Sequence, residues 1–226
     1  MPRRPPAAPR RRVRAYVSAP VTGKEALERA QRWVCARTGC TGWSSIGILL
    51  PGPVSSQPRH LRLARTRGVS VGCAQDLAEL HRWTGPLIVA QPTPARLVAA
   101  ETTNATAIVA VAQDAAALGP WVDAFHPDHL GGTALAPAEV VLPVPPVRRA
   151  MVYYTHRLHS GAPPTGRLWQ MLLHRLEYLH RHEGHFPAES LLALAWQLHW
   201  PPETAGELYQ WADQHLPPEG PLLPAH

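Results

Sequence analysis

At 226 residues, 45% apolar and 17% charged, the chain has a globular composition, with length for one large or two small buried cores. Its longest apolar runs, such as Ile46 to Leu50 and Ala107 to Ala112, have the length of buried strands and fall far short of the roughly 18 residues a membrane helix needs. Three cysteines, Cys35, Cys40 and Cys73, are too few for a disulfide framework and read as reduced, mostly buried thiols.

The formal net charge of +6 is unevenly placed. Of the 22 basic residues six precede Tyr16 (Arg3, Arg4, Arg10, Arg11, Arg12 and Arg14) with no acid among them, leaving 16 basic against 16 acidic residues. The expectation is a neutral body carrying a disordered basic leader over residues 1–12, which binds polyanions without sequence preference. No apolar stretch follows this start as a secretory signal requires, so the expected compartment is the cytoplasm, with no membrane partner.

Strand-like and helix-like segments then alternate. Val13 to Ser18 reads as a strand, and Thr22-Gly23-Lys24-Glu25 has capping-box spacing for a helix from Lys24 to Arg37 that Gly39 stops. Ser45 to Leu50 reads as a second strand, closed by Pro51-Gly52-Pro53. Val54 to Cys73 admits a loop, a short strand or both, and Gln75 to Trp83 reads as helical. Pro86 to Gln91 is a further strand, after which Thr93-Pro94 pairs an N-cap with proline at the first position of a helix to Ala100. Thr106 to Ala112 reads as a strand, Asp114 to Phe125 as a helix and Val140 to Leu142 as a candidate last strand. Such alternation predicts an α/β domain over residues 13–143, with a Rossmann-like or flavodoxin-like parallel sheet.

Leu142 to Pro146 reads as a stiff linker. Helices alone follow, at Val147 to His159, Arg167 to Arg181, Glu189 to Trp200 and Glu203 to His215, predicting a small all-α domain over 147–216 and a loose tail over 217–226.

Ligands in open parallel sheets sit beyond the carboxyl ends of the strands. The first such loop offers Ser18, Thr22, Gly23 and Lys24, the chain's only lysine, at a helix N-terminus suited to a phosphate. Neither GxxxxGK[ST] nor GxGxxG is present, and a capping box alone accounts for Thr22 and Glu25, so the cofactor is left unknown. Gln91 to Thr93 and Gln113-Asp114 stand at the ends of later strands. No Ser/His/Asp grouping, carboxylate pair or GxSxG elbow accompanies them, which leans away from hydrolase chemistry and assigns no catalytic residue.

Tyr16-Val17-Ser18, Gln31 and Arg62-Leu63-Ala64-Arg65 resemble in part the serine recombinases. That resemblance implies a nucleophilic Ser18 and an Arg-Leu-x-Arg helix on the scissile phosphate. It departs where Tyr16 replaces the arginine expected two residues before the serine, and the spacing from Ser18 to Arg62 is short, so no family is assigned.

Histidines crowd the second half. His174, His180, His182 and His185, with His156 and His159 nearby, have spacings that could hold a transition metal but equally coat a solvated helix, and no metal ligand is assigned. His126-Pro-Asp-His129 reads as a loop. Phe186 to His215 resembles a helix-turn-helix, turned at His199-Trp200-Pro201-Pro202. Its would-be recognition helix carries Glu203, Glu207 and Asp213 and no cation, which suits a protein contact better than DNA. Phosphate contacts from this half fall to Arg148, Arg149 and Arg157, or to Arg167, Arg175 and Arg181. The eight tryptophans read as core before they read as base-stacking platforms.

The first expectation is thus a non-enzymatic accessory or regulatory protein, loosely associated with nucleic acid through the leader arginines with Arg148 and Arg149. Its helical half would hold a second copy or another protein. An α/β enzyme acting on a nucleotide or small anion is the alternative, and a structural subunit of a larger complex the second.

Overall fold

The computed structural model describes residues 12–21, 23–53, 70–73, 82–113, 116–134, 145–159 and 166–216. They fall into two compact units. The first holds the described residues up to Pro92 with Ala99–Asp114 and Pro127–Ala134, and the second holds Thr93–Val98, Ala115–His126 and the described residues from 145 onward. The expected division into 13–143 and 147–216 follows the chain, whereas the contacts draw two earlier segments into the second unit.

The first unit is built on one parallel sheet. Its strands are β1 (Val13–Val17), β2 (Gly47–Leu50), β3 (Ser70–Cys73), β4 (Leu87–Ala90), β5 (Ala107–Val111) and the short β6 (Asp128–His129), in the order β3-β2-β4-β5-β1-β6. Every side chain of β2 and β4 is buried, so both faces are covered at these strands. That is why their sequences, GILL and LIVA, are apolar throughout rather than alternating. Ile48 pairs with Ile88, and Ala15 with Val109.

Helix α1 (Gly23–Thr38) buries Ala26, Leu27, Ala30 and Val34, a three-to-four-residue stripe that packs on β1 and β5. It ends where Gly39 enters the left-handed region at φ +72° and donates its N–H to Cys35 O at 2.9 Å, a turn glycine reaches without a Cβ penalty. Helix α2 (Pro94–Glu101), whose residues to Val98 belong to the second unit and the rest to the first, starts as its sequence demands: Thr93 Oγ1 accepts the Arg96 N–H at 3.3 Å, and Pro94 occupies the first position.

Two expectations change in this unit. Only residues 1–11 of the leader lie outside the described residues, and Arg12 is anchored to the body. His126 to His129 is no mere loop, because Asp128 and His129 pair with Ala15 and Tyr16 as β6. Asp128 also accepts Trp33 Nε1 at 3.2 Å and Arg37 Nη2 at 2.9 Å, tying the end of α1 to this edge. Residues 75–81 of the expected helix, the candidate strand Val140 to Leu142 and the tail 217–226 lie outside the described residues.

The second unit contains α3 (Gly119–Phe125), α4 (Pro145–His159), α5 (Arg167–His182), α6 (Ala188–Gln197) and α7 (Pro202–His215). A 3-10 turn over Ala116–Leu118 precedes α3, where Pro120 restarts the segment as a helix. Pro145 and Pro146, read as linker, form the first turn of α4, where their missing N–H groups cost nothing. Helix α6 is buried nearly all round and packs against α3 and α7. Trp121, Phe125 and Trp196 meet there with ring centroids 6.3 and 5.5 Å apart, and Trp200 Nε1 donates to buried Thr155 Oγ1 at 2.7 Å. These three tryptophans are core residues.

The turn between α6 and α7 is a Schellman cap. Trp200 N–H reaches Ala195 O at 3.0 Å and His199 N–H reaches Trp196 O at 2.9 Å, with His199 at φ +58° where glycine is usual. Pro201 and Pro202 then start α7. No helix among the described residues is long and apolar enough to cross a membrane.

Candidate functional site

At the end of β1 the loop expected to take an anion is closed by its own chain. Ser18 is fully buried, its N–H donates to Gly131 O at 3.0 Å and its hydroxyl donates to Thr133 O at 2.5 Å. Gly132, at φ +94°, lies so close that a Cβ there would stand 1.9 Å from Ser18 O. Gly23 opens α1 at φ +59°, and Lys24 points to solvent with its Nζ 3.5 Å from Glu28. Thr22 lies outside the described residues, and Glu25 pairs with Arg29 at 2.7 Å. Ser18 and Lys24 therefore do not converge. Gln91, at the end of β4, adopts φ +49° and is exposed, with its N–H on Val111 O at 2.9 Å.

Arg3, Arg4, Arg10 and Arg11 lie outside the described residues, but Arg12 and Arg14 have a clear place. Both bind Glu101, a buried carboxylate at the end of α2. Arg14 forks onto it, Nε to Oε1 at 2.8 Å and Nη2 to Oε2 at 2.9 Å. Arg12 adds Nη1 to Oε2 at 2.8 Å and donates further to the carbonyls of Glu101, Thr103 and Ala105. Two guanidiniums sharing one carboxylate clamp the start of β1 to the α2–β5 loop. These two arginines serve the fold.

In the second unit a groove of about 800 Å³ runs between α4 and α5. Its walls follow from helical spacing: Arg149 and Tyr153, four apart on α4, and on α5 Arg167, Met171, the adjacent His174 and Arg175, and Tyr178, which recur at steps of three or four. The reverse face of α5 buries Leu172, Leu173, Leu176 and Leu179, which fixes this face outward. Among the described residues the exposed large apolar side chains are Tyr153 (56%), Leu168 (40%), Met171 (51%) and Tyr178 (42%), all on these two helices. The Arg175 guanidinium lies 5.2 Å from the Tyr178 ring centroid, a cation–π contact. No carboxylate lines the groove, and among the described residues none of its arginines forms an ion pair. Arg148 is exposed but outside the groove wall, and Arg181 is taken by Glu177.

The histidines separate. His180 is buried: its Nδ1 accepts the Phe186 N–H at 3.3 Å, and its Nε2 faces His185 Nδ1 at 3.0 Å. His182 packs on the Tyr178 ring and His174 is exposed. Among the described residues no three His, Cys, Asp or Glu side chains gather as metal ligands would. On α7, Thr204, Ala205, Leu208 and Ala212 are buried, and Glu203, Glu207 and Asp213 are exposed. Burial, with Glu189 and Asp213 nearby, pushes the Tyr209 hydroxyl up to about 12.

Spacing on α4 and α5 carried a signal that a count of cations passes over: Tyr153, Met171 and Tyr178 share the face of the arginines, opposite the leucines. No known protein family matches this chain, and no curated protein or solved structure matches it significantly.

Proposed function

We propose that this is a non-enzymatic accessory protein that holds nucleic acid in the groove between α4 and α5. The carrying observation is the groove wall itself, which combines three arginines without a carboxylate and exposed tyrosine rings. Guanidiniums displace counterions from phosphates, and exposed rings stack bases for roughly 1–3 kcal/mol each. Stacking needs unpaired bases, so a single strand is the form favoured. The leader arginines Arg3, Arg4, Arg10 and Arg11 would add salt-sensitive attachment without sequence preference.

Within this reading the first unit is a Rossmann-like scaffold or sensor, although β1 lies between β5 and β6, unlike the usual doubly wound orders. The second is an all-α, helix-turn-helix-like unit whose acidic α7 faces protein, in a second copy or a partner, and whose α4 and α5 face the nucleic acid. A regulatory role in the cytoplasm is consistent with both. A nucleotide enzyme at the first strand end has weaker support, because the Ser18 hydroxyl is engaged and Lys24 points away.

Fluorescence anisotropy with a labelled single-stranded oligonucleotide, read across a salt series, tests the proposal. Changing Arg149, Arg167 and Arg175 together to Gln should weaken binding at least tenfold and lower the log–log salt slope by about 2, from ~0.7 per phosphate contact. Unchanged affinity and slope would sink the groove. A chain starting at Arg12 separates the leader's share while keeping the Glu101 clamp.

A further inference from the structure

We infer that Cys35 and Cys40 are a thiol–disulfide exchange site that takes a small-molecule disulfide as oxidant and closes into an intrachain disulfide. The end of α1 brings the two sulfurs together. Cys35 stands in the last turn of that helix, and Gly39 reverses the chain through its left-handed conformation, so Cys40 returns over the turn it has just left. The sulfurs end 2.7 Å apart, within reach of the ~2.05 Å bond by a small side-chain adjustment. Both side chains are half-buried and pack against the sheet core beside Trp33 and Trp43, so the pair is held in place yet open to a small reagent. The spacing is neither CxxC nor a zinc pattern, and it gains meaning only because the helix stops between the two residues.

Burial and the contact with Cys40 hold the Cys35 thiol up at about 11, so it keeps its proton at neutral pH. In the proposed exchange Cys40, which lies beyond the helix end, opens the attack. Its thiolate attacks one sulfur of R–S–S–R, forming a Cys40–S–S–R bond, and the displaced RS⁻ takes up the proton that Cys40 lost. Cys35 then gives up its proton and attacks Cys40 Sγ. The Cys35–Cys40 bond forms, the mixed disulfide breaks, and the second RS⁻ leaves as RSH. The protein loses two electrons and two protons, and the reagent becomes two thiols. The second step is intramolecular, which is what sets this pair apart from isolated thiols.

The test uses the full chain equilibrated with reduced and oxidised glutathione in graded ratios, acid-quenched, alkylated, digested and mapped by mass spectrometry. The expected product is a Cys35–Cys40 linked peptide lighter by two hydrogens. It should form with at least tenfold less oxidised glutathione than is needed to modify Cys73. In the Cys35→Ser chain, Cys40 should stall as a stable glutathione adduct that the unaltered chain does not accumulate. Independent adducts on Cys35 and Cys40 in the unaltered chain, or both alkylated at every ratio while its far-UV circular dichroism stays native, would overturn the proposal.

Discussion

At the start of β1, Arg12 and Arg14 surround a buried carboxylate, whereas in the α4–α5 groove Arg149, Arg167 and Arg175 line a wall with no acid. Neither set has its structural role written in the residues beside it: no acid stands near Arg12 and Arg14 in the sequence, and Arg149, Arg167 and Arg175 are scattered over two helices. The difference is Glu101, almost ninety residues beyond Arg12 and Arg14 and brought to them at the end of α2. A cation answered by a buried carboxylate is part of the fold, and one left facing solvent among tyrosines is available to a ligand.

The largest effect expected from this contrast lies at Glu101. Glu101→Ala strands two partly buried guanidiniums and should cost about 3 kcal/mol or more, read as a lowered urea midpoint, since breaking a buried ion pair leaves uncompensated charge. An unchanged midpoint would erase the distinction between the two clusters. The same denaturation series on the groove variant, with all three arginines changed to Gln, should move stability by less than about 0.5 kcal/mol each. A marked loss there would make those arginines structural too.

Alkali should act on the second unit through Tyr209. Its folded value of about 12 lies above the ordinary ~10, so its contribution is complete below pH ~10 and is lost as pH rises toward 12. Tyr209→Phe should flatten that decline in chemical denaturation, and an unaltered decline would assign it to other groups. A gain of about 0.5–1 kcal/mol is expected for His199→Gly, because the left-handed cap position at φ +58° then carries no side-chain penalty. The smallest effect belongs to Lys24→Ala, which removes an exposed i,i+4 pair and should leave both the thermal midpoint and oligonucleotide affinity unchanged. A nucleotide-induced thermal shift that this change abolished would instead move the functional site to the end of β1.

Much of the fold was legible because its signals are local. Apolar runs marked β2, β4 and β5, Thr93-Pro94 marked the start of α2, and leucine spacing marked α5 and α6. β6 escaped notice because its two exposed residues, Asp128 and His129, have no apolar pattern and form a strand only through pairing with Ala15 and Tyr16. The candidate site was half legible. Arg149, Arg167 and Arg175 could be singled out as cations, but nothing in the sequence reading singled out Tyr153 and Tyr178, whose place beside them follows from the buried leucine face of α5.

The sequence by itself determined the helices, the central strands and the concentration of charge near its start, since propensity, caps and periodicity act over a few residues. Which arginines are spent and which are free, and whether two cysteines five residues apart touch, only the tertiary structure decided. Electrostatic partnership depends on distance in space, and neither Glu101 nor the turn at Gly39 advertises its neighbours along the chain.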